Sequence, residues 1–465
     1  MNGRAYALDA LRGYAILTMV LSAMVASGIL PAWMYHAQTP PPSHVFNPDI
    51  PGITWVDMVF PAFLFAMGAA FPFSVKKRFE KGVSLMKLSL DALLRAALLT
   101  YFAIFIQHFY PYMLSSPQDM RSWLLAILCF ILLFPTFMRI PLKMPVWCHI
   151  LVKVAAIGTG IILMFTVNYA GGNSFSLYTS NIIILILADM ALFGASLYIA
   201  TINNIRARIA VVVLLTALIM SSGIPGSWAA CFAAYTPLPW FYNFHYMKYI
   251  IIVMSGSIGG EYLYEWMKRK DAPEKQTNIM TACGIMFIAS AMVVINLYCL
   301  FTREVIMGIA VSALLGISGY ILLRKKEGMA QLWMKLFMAG IFLVALGLFL
   351  DPYQGGIKKD PVNFSYLFLT SGLSFMLMIF FSVLCDYFKL HKSTSFLVMS
   401  GQNPMIAYVS GSLLVLPVLN ITGIAKYMYV FGTSPFMGFM QGIILTGLVV
   451  LVTVFFSKRK WFWRT

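Results

Sequence analysis

The strongest constraint on this chain is a recurrence: apolar runs of about twenty residues, each long enough to cross a bilayer as a helix, follow one another from end to end. Candidate spans lie near 13–30, 54–75, 88–109, 121–138, 147–167, 179–200, 207–222, 246–267, 278–300, 304–323, 332–350, 363–386, 395–417 and 434–456. In lipid every backbone N–H and C=O must be satisfied internally, and unbroken apolar runs of this length do that as helices. A soluble chain could not hide such surface. Of its residues 60% are hydrophobic and 11% charged, against roughly a quarter charged in an ordinary globular domain. The expected fold is therefore all-α: a polytopic integral membrane helix bundle of about fourteen transmembrane helices (eleven to fourteen), forming one domain over 1–465.

The net charge of +17 does not point to nucleic acid, because the cations are dispersed in short clusters between apolar runs. Arg4 and Arg12 precede the first run. Even-numbered connections then carry Lys76-Lys77-Arg78, Arg139 with Lys143, Arg206 with Arg208, Lys268-Arg269-Lys270, Arg324-Lys325-Lys326, and Lys389 with Lys392; Lys458-Arg459-Lys460 closes the chain. Odd-numbered connections, including 31–53, 168–178 and 223–245, are nearly free of Lys and Arg. Such alternation implies an even number of spans with both termini cytoplasmic. The exception is 351–362, an outer connection holding Lys358 and Lys359. Those lysines either bind an anionic or polar group or pair with Asp351 and Asp360.

The first run is too long for the core of a cleaved signal and has Asp9 among its leading cations, so it reads as a retained helix. Six scattered cysteines show no metal spacing, and no metal is expected.

Chemistry concentrates in the stretch Pro31–Ala70. Pro40, Pro41, Pro42, Pro48 and Pro51 make its first half a stiff loop. The loop carries His36 and His44, and Asp57 follows just inside the next span. An acid in hydrocarbon is costly and must face protein or water, so two imidazoles beside it are candidates for proton transfer. The plainer reading is a packed loop whose histidines only hydrogen-bond their neighbours. Arg95, His108, Asp189, Glu261 and Asp386 also fall inside spans. His108, near an outer helix end, is expected to look toward the first loop's cavity; each of the others is equally a structural partner across helices. Gly401-Gln402-Asn403-Pro404 interrupts a span, where Asn403 either stabilises an oxyanion or sugar hydroxyl or simply caps a turn. Trp461-Phe462-Trp463 reads as an interfacial aromatic anchor.

The opening Leu8-Asp9-Ala10-Leu11-Arg12-Gly13 resembles that of membrane-embedded acyltransferases. Gly52-Ile53-Thr54-Trp55-Val56-Asp57-Met58-Val59-Phe60-Pro61 narrows the likeness to the heparan-α-glucosaminide N-acetyltransferase family. Pro361-Val362-Asn363, Ser365-Tyr366, Thr370 and Gly401–Pro404 are similar to that family's later helices, so the resemblance covers 1–110 and 340–420. It implies a bacterial inner-membrane enzyme that takes acetyl from cytoplasmic acetyl-CoA. The acceptor would be a sugar or oligosaccharide, at an amine or hydroxyl on the periplasmic side, with a homodimer as the assembly to test. The family uses a histidine between the first two helices. His36 fits by its Trp33-x-Tyr35 context and His44 by its nearness to Gly52. Ser22-Ala23 stands where the family has an asparagine late in its first helix. On this reading one histidine is general base or acyl carrier, Asp57 orients it, and Asn403, Lys358, Lys359 or His108 binds substrate or oxyanion. The alternatives are a secondary transporter or flippase for a sugar-type solute, and a CoA- or sugar-binding member without turnover.

Overall fold

A computed structural model describes residues 4–138, 145–269, 277–428, 432 and 434–465. Arg139, Lys143 and Lys270 of the charge pattern lie outside them. The described residues are helical with no β-strand, apart from one isolated bridge between Met138 and Trp463. The long helices are α1 (Tyr6–Met24), α2 (Trp55–Phe79), α3 (Leu85–His108), α4 (Met120–Phe137), α5 (Val146–Thr166), α6 (Ile182–Ala200) and α7 (Ile205–Ser221). They continue with α8 (Ile250–Lys268), α9 (Ile279–Thr302), α10 (Val305–Leu323), α11 (Met329–Leu350), α12 (Phe364–Tyr387), α13 (Pro404–Ile421) and α14 (Pro435–Lys458). Twelve are long and apolar enough to cross a membrane. The other two are α7, with 17 residues, and α8, which carries Glu261, Glu265 and Lys268. The protein is a polytopic helical membrane protein.

Several boundaries differ from expectation: Lys76, Lys77 and Arg78 lie inside α2, and Arg206 and Arg208 inside α7. Helix α1 begins at Tyr6, so Asp9 and Arg12 are inside it rather than ahead of it. Asp9 meets Arg4 at 3.0 Å and Arg12 at 3.8 Å, which keeps its carboxylate paired in the first turn. The thirteenth span is two helices: Ser395–Gln402 ends at Asn403, and Pro404 starts α13. Proline lacks the N–H that a continuous helix needs there, yet fits a first turn.

Close backbone approach sets the packing. A Cβ on Gly13 would collide with the Leu397 carbonyl, and one on Gly256 with the Phe65 carbonyl. Small residues thus let α1 meet the 395–402 helix and α2 meet α8 at backbone distance, the usual way to gain contact where lipid offers no hydrophobic drive. Enclosure varies widely around this core: over an apolar 18-residue stretch of each, 83% of α12 is buried, but only 17% of α5 and of α10. Pi-helical turns interrupt α2 at Pro72–Lys76, α6 at Met190–Gly194 and α12 at Ser382–Tyr387.

Candidate functional site

The site forms where the 25–54 loop folds onto the start of α2. Tyr35 anchors the loop, its hydroxyl donating to the Ala26 carbonyl (2.6 Å) and accepting from Leu30 N–H (3.1 Å). Thr54 then caps α2. Its Oγ1 accepts from Val56 N–H (3.2 Å) and donates to the Tyr35 carbonyl (2.7 Å). Asp57 closes the capping box by accepting Thr54 N–H at Oδ2 (2.9 Å), the reciprocal arrangement that a Thr-x-x-acid spacing favours. Ala37 N–H also donates to Oδ2 (3.2 Å), so that oxygen is spent on backbone.

Oδ1 is left for side chains. His36 Nδ1 lies 2.6 Å from it, and Lys359 Nζ lies 3.7 Å away. A carboxylate accepts, so Nδ1 carries a proton, and in the neutral ring the lone pair is on Nε2. Asp57 is 2% exposed, whereas His36 is 42% and Lys359 30% exposed. The carboxylate is a fixed support; the imidazole and amine face outward. Burial lowers the Lys359 pKa from its ordinary value, and Asp57 and Asp360 oppose that shift. Tyr366 holds the helix start from behind, donating its hydroxyl to the Asp57 carbonyl (2.7 Å).

Lys359 arrives from 323 residues downstream through a second brace. Gln38 pairs with the Asp360 backbone, donating Nε2–H to the carbonyl (2.5 Å) and accepting N–H at Oε1 (2.9 Å). Gly52 N–H donates to the Ile357 carbonyl (2.8 Å). Arg303 grips Asp351 in a fork at 3.0 and 2.8 Å, and Asp351 Oδ1 also accepts Ile357 N–H (2.7 Å). Asp351 is thus taken by Arg303, and Lys359 turns to Asp57. Asn363 caps α12 through Tyr366 N–H (3.1 Å) while donating to the Gly356 carbonyl (2.8 Å).

The remaining candidates lie elsewhere. His44, at φ +50°, sets its ring edge-on against Tyr35 (4.6 Å), and its buried Nε2 has no hydrogen-bond partner among the described residues. His108 donates Nδ1–H to the Ile104 carbonyl (2.8 Å) and accepts Ser176 N–H at Nε2 (3.4 Å), between the rings of Tyr169 and Phe175. Both its nitrogens are occupied, and it faces the 169–176 connection rather than the first loop. Asn403 holds the C-terminal tail: it donates to the Trp461 carbonyl (2.8 Å) and accepts Trp463 N–H (3.1 Å). It stands with Gly401 and Arg12 at the cation-rich end of the bundle, opposite the His36 loop. Trp463 is not an interfacial anchor either. It is 3% exposed, packed on Phe130, Phe134 and Phe137. Lys358 uses its backbone N–H on Asn363 (3.3 Å), and its side chain stays out of the Asp57 cluster.

Gln38 and Arg303 are structural members of the site that residue types alone did not single out, and Asp351, expected as a partner of the lysines, pairs with Arg303. The one available signal was the pair of lysines in an otherwise cation-poor connection. Among the described residues no three His, Cys, Asp or Glu side chains converge as a metal site.

Fold and site together define a helical membrane protein with a carboxylate–imidazole–amine cluster at one mouth. Residues 4–263 match the family described as "Domain of unknown function (DUF5009)", more than half of the chain, and the chain belongs to that family. His36 and Asp57 fall within the matched segment; Lys359 and Asn403 fall beyond it. No curated protein matches the chain.

Proposed function

We propose that the protein is a transmembrane acetyltransferase that moves acetyl from cytoplasmic acetyl-CoA to a sugar amine or hydroxyl on the far side of a bacterial inner membrane. The observation that carries this reading is His36, its Nδ1 held 2.6 Å from a buried Asp57 and its ring open to the outside. A base oriented by a fixed carboxylate is the arrangement general-base chemistry needs. The resemblance of 52–61 to heparan-α-glucosaminide N-acetyltransferases supplies the substrate class, and the cation-rich opposite end suits the phosphates of CoA.

In this scheme Nε2 of His36 takes the proton from the acceptor as it attacks the thioester carbonyl. Asp57 steadies the imidazolium, and Lys359 faces the charge developing on the carbonyl oxygen. A general base supplies about 10²–10⁴ in rate, so positioning must supply the rest. Between the two histidines, His36 has the partners this role needs.

The test is transfer of labelled acetyl from acetyl-CoA to amino sugars trapped inside inside-out vesicles. Label on the sugar that disappears in His36→Ala supports the reading; full transfer by that variant, folded and inserted, sinks it. One observation favours a transporter instead. Asp189 is 0% exposed beside a π-helical turn, and neither oxygen has a hydrogen-bond partner among the described residues, a placement typical of ion pathways. Solute uptake without acyl transfer, lost in Asp189→Asn, would select that alternative.

A further inference from the structure

We propose that a cleft between α10 and α11 binds a lipid phosphate, its hydrocarbon chain in the cleft and its phosphate at Lys358, and that the acceptor sugar is presented to His36 on such a lipid. The acetyl chemistry rests on the reading above; the lipid site stands on its own geometry.

The cleft has a volume of about 510 Å³, within the usual range of a ligand site. Ile309, Gly316 and Tyr320 of α10 form one wall, and Met338, Ala345 and Phe349 of α11 the other. Apart from the Tyr320 hydroxyl, the lining side chains are apolar but for Ser312, whose Oγ already accepts from Asn296 Nδ2 (2.9 Å). From Ile309 to Tyr320 a helix rises roughly 16 Å, about half of a bilayer's hydrocarbon core.

Two features set this cleft apart from ordinary lipid-facing surface. Its end away from His36 is shut, because the buried Phe337 ring fills the space where a Cβ on Gly319 would stand. Its other end lies at the candidate site. Arg303, just before α10, forks onto Asp351, just after α11, and Asp351 also accepts Ile357 N–H. The loop then runs through Lys358 to Lys359 beside His36. A hydrocarbon chain seated in the cleft therefore ends under the 351–359 loop. Lys358 is half-buried in that loop, and its amine has no hydrogen-bond or ionic partner among the described residues. A cation without a counter-ion at the end of an apolar cleft suits a phosphate.

The transfer itself keeps its balance. The sugar amine or hydroxyl bonds to the acetyl carbonyl carbon, the C–S bond breaks with its electrons on sulfur, and the acceptor proton passes through His36 to the thiolate. Anchoring adds no step; it raises the local concentration of the acceptor at the mouth.

The experiment uses the full chain in phosphatidylcholine vesicles with hexadecyl phosphate bearing a diazirine, and light-induced adducts are mapped by peptide mass spectrometry. Label is expected on α10 and α11 about tenfold above α5, which is as open to lipid as α10. Gly316→Leu is accommodated, since a Cβ there meets Ile341 at an ordinary 3.5 Å, and its branches enter the cleft. That variant, shown folded by thermal unfolding, should lose the label, and Lys358→Gln should weaken it about fivefold, the worth of one lysine against an anionic lipid. Equal labelling of α5 and α10, or labelling that ignores either variant, would overturn the proposal. A dimer in detergent that Gly316→Leu converts to monomer, with no label in the cleft, would assign the cleft to a second copy and overturn it as well. Acetyl transfer then separates this inference from the reading above, with glucosamine either free or joined through phosphate to a hexadecyl chain. A preference of about tenfold for the anchored acceptor, lost in Gly316→Leu, is expected. Equal transfer to both would overturn the lipid-borne acceptor and leave the enzyme standing. Cleft labelling without transfer to either would uphold the lipid site and sink the enzyme.

Discussion

Two clusters in this protein have the same composition, one carboxylate with two basic groups, and opposite characters. At the cation-rich end Glu261 meets Arg208 at 2.8 Å and Lys76 at 3.5 Å. Arg208 is 0% exposed; it donates to Thr201 and Ser257 and stacks on the Tyr198 ring at 4.3 Å. Its fork is spent on protein, and the cluster ties α7 and α8 to α2. At the other mouth Asp57 is equally enclosed, but its partners His36 and Lys359 reach toward solvent. Both clusters compensate a buried acid, and only the second sets a partly exposed imidazole against it. Chemistry needs such a reachable group, whereas a brace needs its absence.

The comparison predicts different failures. The largest effect belongs to Glu261→Ala, which strands Arg208 in the interior. Removing one partner of a buried pair costs about 3–5 kcal/mol, so detergent-solubilised protein should unfold at clearly lower temperature, with activity falling only as the folded fraction falls. His36→Ala should do the reverse. Asp57 keeps the Thr54 and Ala37 N–H groups and Lys359, so the loss of stability should stay near the low end of about 1–3 kcal/mol for a buried acceptor losing one partner, while acetyl transfer in vesicles should drop by about 10²–10⁴. If both variants lost stability and rate in proportion, the distinction between brace and site would collapse.

Arg303→Ala is intermediate, since it leaves Asp351 buried with only the Ile357 N–H. A cost of about 1–3 kcal/mol is expected, together with faster amide exchange across 351–362 and weaker transfer. His44→Ala should lose no more than the roughly 0.5–1.5 kcal/mol of an edge-on ring pair and keep its rate; a rate loss matching His36→Ala would move the base to His44. The smallest effect is a pH dependence. The Lys359 pKa is lowered in the folded protein, so just below the ordinary lysine range the unfolded chain binds more protons. Stability should therefore rise as pH climbs through that window. Unfolding curves of wild type and Lys359→Gln across alkaline pH should show a steeper rise in the wild type, the difference being the Lys359 contribution.

The second mouth cluster was half legible. Asp57 was visible as an acid just inside an apolar run, and Thr54 three residues ahead of it marks a helix cap by spacing alone. His36 and His44 could not be separated from residue type. What separates them is which loop segment passes the Thr54–Asp57 cap, a matter of tertiary path. Lys359 was conspicuous as a cation in the wrong connection, yet nothing local says that it travels to His36 rather than to Asp351. Asn403 and His108 were marked by the same polar-in-apolar logic, and both spend their valence on neighbouring backbone.

For the bundle as a whole, the division follows from the solvent. Apolar run length and cation alternation alone determine that the chain is a helical membrane protein and roughly where each helix lies, because hydrocarbon forces every backbone bond inside its own segment. They cannot say which helices are central. Over their apolar 18-residue stretches, helices α10 and α12 have equal mean hydropathy, yet 17% of one stretch and 83% of the other is buried. Lipid tails are as apolar as a protein core, so hydropathy does not distinguish a lipid-facing helix from an enclosed one. Only the tertiary structure, through small-residue contacts and a loop brought 323 residues back to His36, decides which helices form the core and where the polar cluster assembles.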